Sequence, residues 1–207
     1  MTTKGRMFVV SAPSGCGKDT ILSLAFQRCS DMVRSVSATT RTARPEEVDG
    51  VDYHFVSTER FNEMIANDEL LEYATYNGDL YGTVTANVER LMEQGVNVLL
   101  KIDVQGARTL QEKGVELTTV FILPPSKATL RKRLVGRGTD SIDEIENRLR
   151  TADIELQTAP QYDFIFVNDE LETAVEDLIS IIHNQEPRFR RENMLKVWEE
   201  VVKDAEV

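Results

Sequence analysis

Apolar residues along this chain of 207 fall into short blocks separated by stretches of helical periodicity. MFVVS at Met7–Ser11 is one such block, followed by the turn-rich APSGCGK and then by TILSLAFQR, whose apolar positions recur at helical spacing. That order predicts a strand, a glycine loop and a helix. VNVLLKI at 96–102, TTVFIL at 118–123 and DFIFV at 163–167 are nearly continuous in apolar residues, the character of strands covered on both faces. Residues 33–38 predict a second strand, and 53–56 and 70–76 predict extended segments on either side of a helix that Ser57 or Thr58 caps and that runs to about 67. Helical patterns occupy 85–94, stopped at Gly95, and 127–135 and 142–158, interrupted by Gly136 and Gly138. The tail over 171–202 reads as helical with a break at Pro187. Apolar strands alternating with helices predict an α/β doubly wound parallel sheet, from which 34–90 and 126–157 are excursions.

Composition narrows the class without choosing a chemistry. A chain of this length with 41% hydrophobic residues buries a sizeable core as one domain with inserted subdomains. It has no apolar stretch near the roughly 20 residues that span a bilayer, and its opening apolar run is too short for a secretory signal, so no membrane partner and a cytoplasmic location are expected. Cys16 and Cys29 read as free thiols. A net charge of -11 argues against nucleic-acid binding, which needs Lys and Arg to neutralise phosphates. The positive charges are nevertheless concentrated: Lys18, Arg41 and Arg44, then Arg131, Lys132, Arg133, Arg137, Arg148 and Arg150. Such a set suits a small anionic ligand, although the later cluster also fits a solvated helix face.

The densest candidate chemistry is TTRTARPEEVDGVDYHFV at 39–56. Arginine offers a planar fork of donors that matches phosphate oxygens in pairs. Asp49-Gly50 is a turn signal that folds Tyr53 back toward Arg41. Arg41, Arg44 and Tyr53 are therefore expected to converge on one phosphate. The stretch satisfies the pattern T-[ST]-R-x2-[KR]-x2-[DE]-x2-G-x2-Y-x-[FY] at every position. At average residue frequencies this happens by chance with a probability on the order of 10⁻⁷. By this signature the chain resembles the guanylate kinases over about residues 5–185.

The segment APSGCGKDT at 12–20 sits where a phosphate loop belongs, between a strand and a helix, so that backbone N–H groups and the helix N-terminus face a polyphosphate. The generic pattern GxxxxGK[ST] fails twice, at Ala12 and at Asp19. The resembling family carries a small residue followed by PSGxGK, which implies ATP contacts at Ala12, Pro13, Ser14, Gly15, Cys16, Gly17, Lys18, Asp19 and Thr20. Lys101 stands where that family usually has an acid. Two readings are open: Asp19 and Lys101 compensate each other, or Asp19 is a first-turn acid favoured by the helix dipole and Lys101 an independent substitution.

The resemblance implies further roles, residue by residue. Ser37 matches the hydroxyl that meets the guanine carbonyl, Glu72 the carboxylate that accepts the guanine N1–H and amino protons, and Tyr81, Gly82 and Thr83 the family's YGT. Asp103 in IDVQG matches an acid near guanine or metal, although single acids such as Glu72 and Asp103 are more often structural or solvated. LRKRLVGRGTDS with Arg148 resembles a mobile lid, Arg133 bordering adenine and Arg137 and Arg148 approaching the transferring phosphate, and Asn168 matches an adenine-side contact. Lys18, Arg41, Arg137 and Arg148 would then be catalytic, with Mg²⁺ supported by Asp19 or Asp103.

The fold so implied is a P-loop three-layer α/β fold with a central parallel sheet. Residues 1–33, 91–125 and 158–207 form the core, 34–90 a small mixed GMP-binding arm and 126–157 a helical lid. The implied reaction is ATP plus GMP giving ADP plus GDP, with ATP and GMP as small-molecule partners. Its rivals are a catalytically weak guanylate-kinase-like binding module, a related sugar-phosphate kinase and a plain NTPase.

Overall fold

The structure is a computed structural model that describes residues 4–76, 78–100, 102–136, 142–184 and 186–203. Five strands form a sheet in the order β2-β7-β1-β8-β9: β1 is Met7–Ser11, β2 Met32–Arg34, β7 Asn97–Leu100, β8 Thr118–Leu123 and β9 Phe164–Val167. The pairs β2 with β7, β1 with β8 and β8 with β9 are all parallel. A second sheet has the order β4-β3-β6-β5, from β3 (Ser37–Thr39), β4 (His54–Phe55), β5 (Leu70–Tyr76) and β6 (Asp79–Val84). Helices α1 (Lys18–Arg28), α2 (Thr58–Ala66), α3 (Thr85–Glu93), α4 (Val104–Glu112), α5 (Lys127–Val135), α6 (Ile142–Leu156), α7 (Leu171–Asn184) and α8 (Arg191–Lys203), with short 3₁₀ helices at Ala159–Gln161 and Pro187–Phe189, complete the described elements.

Contacts divide the chain into two compact units. One comprises Phe8–Ser30 and the chain from Thr118 onward. Its core follows from the apolar blocks: Phe8, Val9 and Val10 of β1, Val120 to Leu123 of β8 and Ile165 and Phe166 of β9 have no exposed surface. Helix α7 covers them with Ala174, Val175, Leu178, Ile181 and Ile182, a stripe at helical spacing that is also fully buried. The thiol of Cys16 lies in this core, donating to the Ile122 carbonyl, and burial pushes its pKa up to about 12. Cys16 is a neutral packing residue.

The other unit comprises Asp31–Leu117 with the chain up to Met7. It holds β2 and β7 and the second sheet, whose own small core is Ala38, Phe61, Met64 and Leu70. Ser57 caps α2 by accepting the Arg60 N–H, as its place before an apolar-periodic run predicts.

One sequence expectation is corrected. The strand expected over 33–38 is two strands in different sheets, β2 and β3, with Ser35 and Val36 between them. YGT lies inside a strand, β6, and IDVQG leads into a helix, α4, two elements for which the sequence carried no expectation.

Candidate active site

The phosphate loop begins where β1 ends. Gly15 and Gly17 have φ of 85° and 86°, the left-handed region that side chains rarely adopt, and Gly17 is the N-cap of α1. Gly15 is constrained a second time: a Cβ there would lie 2.8 Å from Leu134 Cδ2 on α5. The loop closes on itself through the Cys16 N–H, which donates to the Pro13 carbonyl at 3.0 Å. Outside it, Glu155 of α6 accepts the Ser14 N–H at 3.2 Å, a carboxylate taking up a donor of the candidate phosphate loop. Nothing in the spacing of the sequence singled out Glu155.

Arg133 and Asn168 meet beside this loop. Arg133 Nη2 donates to the Asn168 and Asp169 carbonyls at 3.0 and 3.3 Å, and Asn168 Nδ2 donates to the Cys16 carbonyl at 2.6 Å. Arg133 Nη1 is buried with no hydrogen-bond partner among the described residues. Asp19 and Thr20 are exposed in the first turn of α1, and Arg148 is half-buried on α6. Lys101 and Arg137 lie outside the described residues.

In the other unit the second sheet sets three candidates in one row. Ser37 of β3 pairs with Thr83 of β6, and Thr83 pairs with Glu72 of β5. The pairing of β5 with β6 shifts between Leu70 and Glu72, a bulge at Leu71. Regular alternation would place Leu71 opposite Thr83; the extra residue brings Glu72 there instead. Lys113 of α4 donates from Nζ to the Leu71 carbonyl at 3.0 Å. Glu72 is only 5% exposed, and its Oε1 accepts the Thr83 hydroxyl at 2.6 Å. Burial raises the Glu72 pKa; Thr83 offsets part of the rise, the nearby Asp103 charge adds to it, and Lys113 opposes it. Asp103 is the N-cap of α4, its Oδ1 accepting the Gly106 N–H at 2.8 Å. A Cβ on Gly106 would lie 3.2 Å from Glu72 Oε2, so the glycine of IDVQG leaves room for that carboxylate.

The next row on the same face carries Thr39 and Tyr81. Beyond it the loop after β3 folds Arg41 over the rings of Tyr53 and Phe55, 5.6 and 5.8 Å from their centroids. Tyr53 and Tyr81 meet edge to face at 5.9 Å. Asp49-Gly50 makes the expected turn: Gly50 has φ 76° and its N–H donates to the Tyr53 carbonyl at 2.8 Å. Glu47 organises the loop. Arg41 Nη2 donates to its two oxygens at 2.7 and 2.9 Å, and the Arg44 N–H donates to Oε2 at 2.8 Å. The pairing lowers the Glu47 pKa, chiefly through Arg41, and holds Arg41 more firmly charged. The Arg44 side chain is exposed. Gly82 stands apart from the site face: a Cβ there would lie 2.9 Å from Leu70 Cδ1 and 3.0 Å from Phe61 Cζ, so it lets α2 approach the sheet.

The family model described as guanylate kinase matches residues 4–185. The chain belongs to the guanylate kinase family. It is 46% identical over 186 residues to a guanylate kinase of Shewanella oneidensis, covering 89% of this chain and 90% of that protein. To a guanylate kinase of Thermus thermophilus it is 44% identical over 188 residues, covering 91% and 85%. The crystal structure of guanylate kinase from Anaplasma phagocytophilum superposes with a TM-score of 0.67 at 30% identity, covering 94% of this chain and 95% of that one. Both the row on the second sheet and the phosphate loop fall within the part that the guanylate kinase model matches.

Proposed function

We propose that this chain transfers a phosphoryl group from ATP to GMP, giving ADP and GDP, as a cytoplasmic enzyme. The observation that carries the acceptor assignment is the row Ser37, Thr83 and Glu72. A buried carboxylate in that row suits the adjacent N1–H and amino donors of guanine. Adenine presents a lone pair at N1 and would leave the charge unpaired, the kind of mismatch that supports about 10⁴- to 10⁵-fold discrimination. Ser37 supplies a hydroxyl for the guanine carbonyl. Arg41, Tyr53 and Tyr81, with Arg44 from the same loop, would hold the GMP phosphate, and Asp103, close enough for its charge to raise the Glu72 pKa, would lie on the base side. In this reading 34–90 is the acceptor arm, 126–157 the lid, and 1–33, 91–125 and 158–207 the core, a functional division drawn differently from the two compact units, which group 31–117 together.

The GMP phosphate has a second pKa of about 6 and is largely a dianion at neutral pH, so its own oxygen attacks the γ-phosphorus without a general base. The new bond joins a GMP phosphate oxygen to that phosphorus. The bond to the β–γ bridging oxygen breaks, and its electron pair leaves on ADP. Catalysis consists of bringing two polyanions together and stabilising charge on the group in transit. On the donor side this falls to the N–H groups of residues 12–18, to Lys18 and to Arg133, whose buried unpartnered Nη1 suits a nucleotide acceptor. Arg148, and Arg137 by family resemblance, would neutralise the transferring phosphoryl together with Arg41.

The donor chemistry of Asp19, an exposed carboxylate one residue after Lys18, fits a hard cation, and Asp103 is the second acid that the family resemblance offers. Asp19 or Asp103 would hold Mg²⁺, which when bound neutralises phosphate charge. Coupled measurement of ADP release with GMP, AMP, UMP and no acceptor tests the reading. Turnover should require GMP; equal rates without any acceptor would refute it.

A further inference from the structure

A loop that turns its N–H groups inward toward a phosphate turns carbonyls outward, and each of these needs a donor of its own once buried. For the Cys16 carbonyl that donor is Asn168, at 2.6 Å. The orientation of the amide follows from its partner, since only the NH₂ end donates to a carbonyl. Asn168 is 5% exposed and fixed at three points. Its own N–H donates to the Leu123 carbonyl at 2.8 Å, its carbonyl accepts Arg133 Nη2 at 3.0 Å, and its side chain reaches the loop. Gly17 is fitted to it as well, because a Cβ on Gly17 would lie 2.8 Å from Asn168 Nδ2.

We infer that Asn168 is a positioning residue for the phosphate loop: its amide holds the Cys16 carbonyl and so fixes the N–H groups of residues 15–18 for a polyphosphate, whatever base that polyphosphate carries. This goes beyond an adenine-side contact and rests on reading 12–18 as the donor-phosphate site. The lid helix α5 enters the same arrangement through Arg133, which grips the Asn168 carbonyl. The state of the lid and the shape of the loop thus share one residue.

The test compares Asn168→Ala and Asn168→Asp with the parent, using Mg²⁺-tripolyphosphate as a base-free probe in calorimetry and measuring KM for ATP and for GMP. Aspartate keeps the size and the acceptor oxygens of asparagine but presents a negative oxygen to the Cys16 carbonyl. Both variants should bind tripolyphosphate about 10-fold or more weakly and raise KM for ATP in parallel, with KM for GMP unchanged. Unchanged tripolyphosphate binding with weakened ATP would reduce Asn168 to a base contact and overturn the inference. So would an Asp variant that behaves as the parent, or an equal loss for ATP and GMP, which marks general damage. A parent that binds neither ATP nor tripolyphosphate would refute the phosphate-site reading itself, and this inference with it.

Discussion

At Glu72 the needs of the fold and of the proposed reaction pull in opposite directions. To accept two donors from guanine the carboxyl must be ionised, yet burial favours its neutral form and raises its pKa from 4.5. The folded chain therefore holds the proton more tightly than the unfolded chain, and stability is lost as pH rises from the ordinary value through the raised one. Glu72→Gln removes that loss and still accepts the Thr83 hydroxyl. It should raise the unfolding temperature at neutral pH and change it little at about pH 4. Its kcat/KM for GMP should fall about 10- to 100-fold, since a hydrogen-bonded charge is lost. Thermal scans across pH check the first part; a variant no more stable than the parent at neutral pH would show that the buried charge carries no penalty. Glu47 poses a related question, because a carboxylate beside the arginines proposed to bind phosphate would repel the phosphate while it aligns Arg41 and ties down the Arg44 N–H. If alignment dominates, Glu47→Ala raises KM for GMP about 10-fold and Glu47→Gln recovers most of the loss. Steady-state kinetics with GMP varied decide it, and a lower KM in the Ala variant would mean that repulsion dominates.

At the scale of elements, glycines record where one segment presses on another. Gly82 has no unusual φ among the positive-φ glycines, so its requirement is steric: β6 must let Phe61 of α2 and Leu70 of β5 come close. Gly82→Ala overpacks that small core and should cost about 1–3 kcal/mol, read as a lower denaturant midpoint at unchanged slope. Gly106 plays the corresponding part for α4 against Glu72. The motifs YGT and IDVQG thus combine packing with the chemistry proposed for them: Gly82 admits Phe61 and Leu70, and Gly106 leaves room for the Glu72 carboxylate.

Across the whole chain, the apolar blocks foretold β1, β8 and β9 almost to the residue, because strands buried on both faces must be apolar throughout. The break at Ser35 and Val36 was not legible: both flanks favour extended structure, and only tertiary pairing assigns one to β7 and the other to β6. Likewise β6 carries Asp79, Gly82 and Thr83, too mixed to announce a strand. On the site, the phosphate-loop glycines and the turn at Asp49-Gly50 were readable because positive φ leaves a mark in residue type. Glu155 and the bulge at Leu71 leave none. The bulge has a consequence for how such a chain varies through descent. Glu72 faces Thr83 only because β5 carries one residue more than the ladder needs, with Lys113 satisfying the carbonyl this leaves over. Deleting Leu71 would not by itself remove the acid from that position, for the shortened strand still offers Glu72 next in line. Inserting a second residue there would shift the ladder by one and turn the acid to the opposite face. Acceptor choice in this arm is therefore robust to loss at one position and fragile to gain at the same one, an asymmetry that a library of single-residue insertions and deletions along β5 would display.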